Sequence, residues 1–101
     1  MAGGIAMILD GRRFEAPVTV ETDVCIVGSG AGGAVLGKEL AEAGVDVVIL
    51  EAGGHFGRAD YAGETLPRAY RMLYRDGGTT ASLGRPGIPI PLGRCIGGTT
   101  V

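Results

Sequence analysis

The sequence predicts an α/β fold built on a single βαβ unit. Three observations carry that expectation. An apolar run, Asp23 to Val27, leads into the glycine cluster 28–33; a helical apolar period runs from Ala31 to Ala43; and a second apolar run, Val45 to Leu50, ends at Glu51. Strand, helix and strand within about 30 residues make a parallel pair joined by a right-handed crossover.

The amino-terminal residues 1–22 read as a separate arm. Ile5 to Leu9 is a short apolar run, and Arg12 to Val20 is rich in strand formers. Asp10-Gly11 between them signals a tight β-hairpin. Pro17 has no N–H for a ladder, so this hairpin is expected at a sheet edge. Residues 23–101 form the second unit, a partial nucleotide-binding domain.

Neither strand of the βαβ unit alternates with polar residues, which is the pattern of parallel strands covered on both faces. In the helix, Val35, Leu36, Leu40 and Ala43 share one face at three- and four-residue spacing, and Gly44 is placed to cap the carboxyl end. Beyond Gly53-Gly54 the pattern weakens. Thr65 to Tyr74 reads as a short helix with Thr65 as N-cap and Pro67 in its first turn. From Asp76 to Val101 no helical period survives, and the Gly and Pro content predicts an extended, loop-like path. No later segment supplies a third parallel strand, and one confident helix cannot cover a doubly wound sheet. The sequence therefore reads as an incomplete unit, a fragment expected to be marginal and aggregation-prone on its own.

Composition narrows the function. The charged fraction is 20% and the net charge −2 with no basic cluster, so no nucleic-acid partner is indicated. Glycine stands out, with 20 of 101 residues gathered in clusters beside apolar runs, as where backbone turns tightly or approaches a ligand. Cys25 and Cys95 make no disulfide framework; Cys25 reads as a small core residue, and Cys95 carries no assignable chemistry. One His and two Cys without ligand spacing predict no metal site. Met1 to Leu9 lacks the basic flank of a secretory signal, and no stretch reaches the roughly 20 apolar residues of a membrane span. A soluble cytoplasmic protein is expected. The sequence does not fix its oligomeric state.

The glycine cluster is Gly28-Ser29-Gly30-Ala31-Gly32-Gly33. In so glycine-rich a chain, on the order of one chance GxGxxG match is expected, so context decides. This match follows a buried-type strand, opens a helix, and has an acid at the end of the next strand. That makes the unit Rossmann-like, a binder of FAD or NAD(P). Gly28 permits the turn out of the strand, Gly30 lets backbone meet a pyrophosphate, and Gly33 lets helix pack on strand. The helix N-terminus offers its unpaired N–H groups and about half a positive charge to phosphate. Gly37 is either a further close-packing position or a tolerated helix glycine. Glu51, 18 residues after Gly33, can accept hydrogen bonds from both ribose hydroxyls and would repel a 2′-phosphate.

The fingerprint does not separate NAD from FAD. Gly93-Arg94-Cys95-Ile96-Gly97-Gly98-Thr99-Thr100-Val101 puts a glycine pair before two hydroxyls, which is either a second backbone approach to an extended cofactor or an ordinary turn.

Three segments together resemble the glucose–methanol–choline (GMC) oxidoreductases in their bacterial forms. They are DVCIVGSGAGGAVLGKEL from Asp23, the Val47–Gly53 strand ending in Glu-Ala-Gly, and Gly93 to Val101, which is similar to the opening of that family's first signature. With Asp76-Gly77-Gly78 they are spread over residues 23–101. The resemblance implies FAD as cofactor and oxidation of a CH–OH group of a small-molecule alcohol by hydride transfer to flavin. It implies that Gly28, Gly30, Gly33 and Glu51 hold the ADP half, with Ser29, Ala31, Gly32 and Ala52 among the cofactor-binding residues. Gly93, Arg94, Gly97, Gly98 and Thr99 would run beside the pyrophosphate and flavin. The family's catalytic histidine is not matched in this sequence, and His55, the single histidine, is given no catalytic role. The competing readings are an NAD-linked or other two-dinucleotide flavoprotein, and a non-catalytic remnant.

Overall fold

In a computed structural model, residues 7–101 are described. Their elements run β1 (Val24–Val27), α1 (Ala31–Glu42), β2 (Val47–Leu50), α2 (Arg58–Tyr61) and α3 (Leu66–Leu73), followed by 3-10 turns at Arg75–Gly78 and Gly98–Thr100. β1 and β2 are parallel, with Val24 opposite Val47 and Val27 opposite Leu50. The parallel pair joined through α1 is the one the apolar pattern predicts. At the far end of the sheet, Val24 N–H donates to Asp46 O at 3.1 Å and Asp46 N–H donates to the Asp23 carboxylate at 3.1 Å.

Helix α1 stops where Gly44 takes a left-handed φ of 84°. Gly44 N–H donates to Ala41 O and Val45 N–H to Leu40 O, both at 3.0 Å. This Schellman pair satisfies carbonyls that a helix end otherwise leaves open.

The face of α1 that meets the sheet differs from the predicted one. Gly33 and Gly37 lie against β1 and β2, whereas Val35 and Leu36 are exposed. A Cβ at Gly37 would sit 2.8 Å from Ile49 Cδ1 and 3.5 Å from Ile26 Cδ1. Glycines bring the helix axis close to the strands, and the bulkier residues are rotated away from that contact. Gly37 is thus a close-packing position.

Only one face of the sheet is covered by α1. Ile26 is 7% exposed on that face, while Val27 is 85% and Leu50 54% exposed. Cys25, expected in the core, is exposed for the same reason. Residues alternate across a strand, so a helix on one side buries every second side chain and leaves its neighbours open.

The hairpin expected over residues 1–22 is corrected where it can be seen; Ile5 and Ala6 lie outside the described residues. From Met7 to Thr22 there is no strand, and Gly11–Arg13 is a 3-10 turn. Asp10 caps it, accepting the Arg12 N–H at 3.1 Å and the Arg12 guanidinium at 2.8 Å. A carboxylate engaged in a local side-chain turn competes with the tight turn that Asp-Gly otherwise favours.

The segment after α3 is extended, as expected, but it is not loose. Tyr74 and Gly93 form an antiparallel bridge, flanked by Arg75 N–H to Leu92 O at 2.8 Å and Arg94 N–H to Leu73 O at 2.7 Å. Gly54 and Cys95 form a lone parallel bridge beside the end of β2. At Gly53 an added Cβ would overlap the Arg94 carbonyl, so two stretches of backbone meet there with no room for a side chain. The radius of gyration is 16.2 Å, against about 13 Å for a compact chain of 100 residues.

Candidate functional site

Both parallel strands point their carboxyl ends at one cleft, the place where ligands bind in open α/β sheets. Its volume is about 520 Å³, and its walls are Val27, Gly28, Gly30 and Ala31 on one side and Leu50, Glu51 and Ala52 on the second. Arg75, Gly93, Gly98, Thr99 and Thr100 close the third. The glycine loop, the acid at the end of β2 and the carboxy-terminal segment, separate in sequence, thus share one cavity.

The first wall is bare backbone. Gly28 leaves β1 at φ 93°, a left-handed conformation open to glycine and strained for most residues. Its N–H donates to Leu50 O at 2.7 Å, which ties the loop to β2. Gly30 is the N-cap of α1 with φ −65° and no side-chain cap. Any residue can adopt that backbone, and a Cβ built on Gly30 would have no atom within 4 Å. Nothing in the chain therefore requires glycine at 30; the space it leaves open is the cleft. The first-turn N–H groups of α1, unmatched by any capping side chain, face the same end.

Glu51 is held by a dense set of donors. Its Oε2 accepts the Ser29 hydroxyl at 2.7 Å and the Ser29 N–H at 3.0 Å, and its Oε1 accepts the Gly53 N–H at 2.7 Å. Partial burial raises the carboxyl pKa, but the Ser29 hydroxyl and the N–H groups of Gly53, Ser29 and Ala52 outweigh it, leaving the value below the usual 4.5. The ionised form is favoured by folding, so its contribution to stability is complete above that usual value and is lost as pH falls through the depressed one. Glu51→Gln is therefore expected to lose less stability than the parent between pH 5 and pH 3, measured by thermal midpoints along the acid limb. Superimposable acid limbs would contradict it.

Ser29 does more than fill the second position of the loop. It is buried, and its hydroxyl also accepts the Gly97 N–H at 3.2 Å. Loop 28–33, the end of β2 and the Gly97-Gly98 turn are thereby fastened at one oxygen. The turn is held on its other side by Gly98 N–H to Cys95 O at 2.9 Å and Gly93 N–H to Thr99 Oγ1 at 3.0 Å. A Cβ on Gly98 would come within 2.9 Å of Gly30 Cα, so the two glycine turns are in backbone contact. Cys95, only 2% exposed, packs beneath, its thiol raised above the usual range by burial and by the Glu51 charge.

The residues named from the sequence separate into two groups. Gly28, Gly30, Ala31, Glu51, Ala52, Gly93, Gly98 and Thr99 line the cleft. Ser29, Gly32, Gly33, Arg94 and Gly97 do not. Ser29 and Gly97 act behind the wall, Gly33 sits in the helix–strand contact, and Gly32 is exposed on α1. Arg94 is exposed toward the broad concave face beside β2 and the amino-terminal segment. The cationic residue on the cleft is instead Arg75, which the sequence pattern did not mark. Among the described residues there is no group of three metal-ligating side chains, and no helix is long and apolar enough to cross a membrane.

Comparison with known proteins supplies the family. The family model described as FAD binding domain matches residues 21–97. An uncharacterized GMC-type oxidoreductase of Mycobacterium tuberculosis is 44% identical over 87 residues, 86% of this chain and 14% of the relative. Another from Sinorhizobium fredii is 41% identical over 90 residues, 89% of this chain and 18% of the relative. A long-chain-alcohol oxidase of Arabidopsis thaliana is 35% identical over 81 residues, 80% of this chain and 11% of that protein. The chain thus spans under a fifth of the length of each of these relatives. No solved structure matches it. With its cofactor FAD, the chain belongs to the FAD binding domain family, in the amino-terminal form that GMC-type oxidoreductases carry.

Proposed function

We propose that this chain holds the ADP half of FAD within a flavoprotein that oxidises the CH–OH group of an alcohol. The single observation that carries the binding assignment is Gly30, a cleft position where the chain's own packing leaves room for a side chain and has none. A pyrophosphate fits that vacancy in chemical terms. Bare backbone allows approach, and the amino end of α1 supplies N–H donors and partial positive charge. Glu51 would take the adjoining ribose. One lone-pair position, on Oε1, remains for a hydroxyl donor once Ser29 and Gly53 are counted. Gly93, Gly98 and Thr99 would border the pyrophosphate on the opposite wall.

When bound, FAD supplies hydride acceptance at its flavin ring. The residues of this chain bind and orient the other end of the cofactor. The alcohol assignment rests on likeness to the GMC-type relatives and to the plant long-chain-alcohol oxidase.

Two measurements test the proposal. Glu51→Ala is expected to weaken FAD binding about tenfold in titration of the apoprotein, the scale of one or two charge-assisted hydrogen bonds. Flavin absorbance of the holoprotein is expected to bleach when an alcohol is added without oxygen. An unchanged Kd in the variant would remove Glu51 from the site, and failure of short- and long-chain alcohols alike to bleach the flavin would remove the CH–OH assignment.

A further inference from the structure

We propose that Arg75 is a phosphate-binding residue of the cleft, contacting the diphosphate of the bound dinucleotide from the wall opposite the glycine loop. The proposal deepens the FAD-binding reading above and rests on it.

Its position is the first argument. Arg75 lines the same cavity as Gly28, Gly30 and Glu51, and it is the single cationic residue there. Its backbone is fixed on both sides. Arg75 N–H donates to Leu92 O at 2.8 Å, next to the Tyr74–Gly93 bridge, so its Cα is held beside Gly93 on the cleft wall. Immediately after it the chain reverses through Asp76 at φ 50° and Gly77 at φ 64°. A left-handed aspartate is tolerated but uncommon.

Charge is the second argument. Among the described residues no acid lies within ion-pair distance of Arg75, and the acidic partners serve Arg12, Lys38 and Arg68. The one carboxylate on the cleft wall, Glu51, is occupied by Ser29 and Gly53. A diphosphate brings about two negative charges into a cavity that already holds one. The partial charge of one helix end does not balance them, and a guanidinium presents paired N–H donors that match phosphate oxygens.

Arg94 is the alternative cation, but it is not among the residues that line this cavity. It follows Gly93 by one residue, so on an extended path its side chain leaves on the opposite side, toward the broad concave face.

The test compares three ligands, FAD, ADP and adenosine, on the apoprotein with Arg75, Arg75→Lys and Arg75→Gln. Arg75→Gln is expected to raise the Kd of FAD and of ADP about tenfold and leave that of adenosine within twofold. Arg75→Lys is expected to recover part of the loss. The dependence of FAD affinity on salt should be shallower in Arg75→Gln than in the parent. Equal FAD and ADP affinities in parent and Arg75→Gln would overturn the proposal. So would an equal loss for adenosine, which would mark Arg75 as structural. Gly30→Val separates the two levels of argument. If it leaves FAD affinity unchanged, the cleft reading itself fails; if it abolishes binding while Arg75→Gln does not affect it, only the arginine assignment fails.

Discussion

Gly33→Ala is expected to yield little or no folded protein. A Cβ at this position would overlap the Gly28 carbonyl oxygen, and it would lie 3.1 Å from Gly28 C and 3.2 Å from Ile26 Cγ2. Two of these three atoms are backbone at the turn out of β1, which Gly28 N–H already ties to Leu50 O. No side-chain rotation relieves the overlap. Either α1 moves off the sheet or the β1 turn opens. Overpacking against backbone of this kind costs about 3 kcal/mol, a large share of the roughly 5–15 kcal/mol by which a whole domain is stable. The loss should appear as a collapse of soluble yield and of the thermal transition, with or without added FAD. A variant that melts within a few degrees of the parent would show that α1 does not pack on β1 as described.

Gly30→Val is expected to do the opposite: to abolish FAD binding while leaving the fold nearly unchanged. The two glycines are three residues apart in one loop, yet their surroundings differ completely. At Gly30 an added Cβ meets nothing within 4 Å, and the backbone is in a conformation open to every residue. Valine can be placed there without disturbing the chain, but it would fill the space at the amino end of α1. An affinity loss of roughly a hundredfold or more is expected, from overpacking against the ligand and from lost approach to the N–H groups. Circular dichroism and flavin-fluorescence titration of the same preparation check both halves. Retained binding with retained fold would mean that the ligand does not enter beside Gly30. An unfolded variant would mean that the open space is filled in solution by another part of the protein.

Much of the βαβ unit was legible in the sequence because the features that specify it are local. The two apolar runs became β1 and β2, Ala31 opened α1, and the Gly44 turn closed it, with Gly44 N–H bonded to Ala41 O and Val45 N–H to Leu40 O. Each depends on conformational preferences within one or two turns of chain. The loop glycines were equally readable. Gly28 requires positive φ, Gly33 requires a missing Cβ, and Gly30 belongs to a strand-to-helix turn whose spacing to Glu51 marks it. The fingerprint assigned Gly28 to the turn and Gly33 to helix packing, and the positive φ of the first and the close contact at the second agree with that.

Long-range contacts decided the rest. Composition cannot say which face of α1 meets the sheet when both glycine and aliphatic faces are available; the closer approach at Gly33 and Gly37 decided it and left Val35 and Leu36 outside. Cys25 and Ile26 have the same local character, but strand alternation against a helix on one side exposed the first and buried the second. Asp10-Gly11 carries a hairpin signal, yet the Arg12 side chain captured the carboxylate and a 3-10 turn formed instead. Arg75 and Arg94 flank the same pair of bonded segments, and only the pairing of residues 73–75 with 92–94 determined which of them faces the cleft. By itself the sequence determined a glycine turn between two strands and an acid beyond the second, since these follow from backbone sterics over a few residues. The tertiary structure alone brought the Gly97-Gly98 turn against Gly30, through the Ser29 hydroxyl, and set Arg75 across from it. Such contacts join residues more than sixty positions apart, and no local preference encodes which distant surfaces will meet.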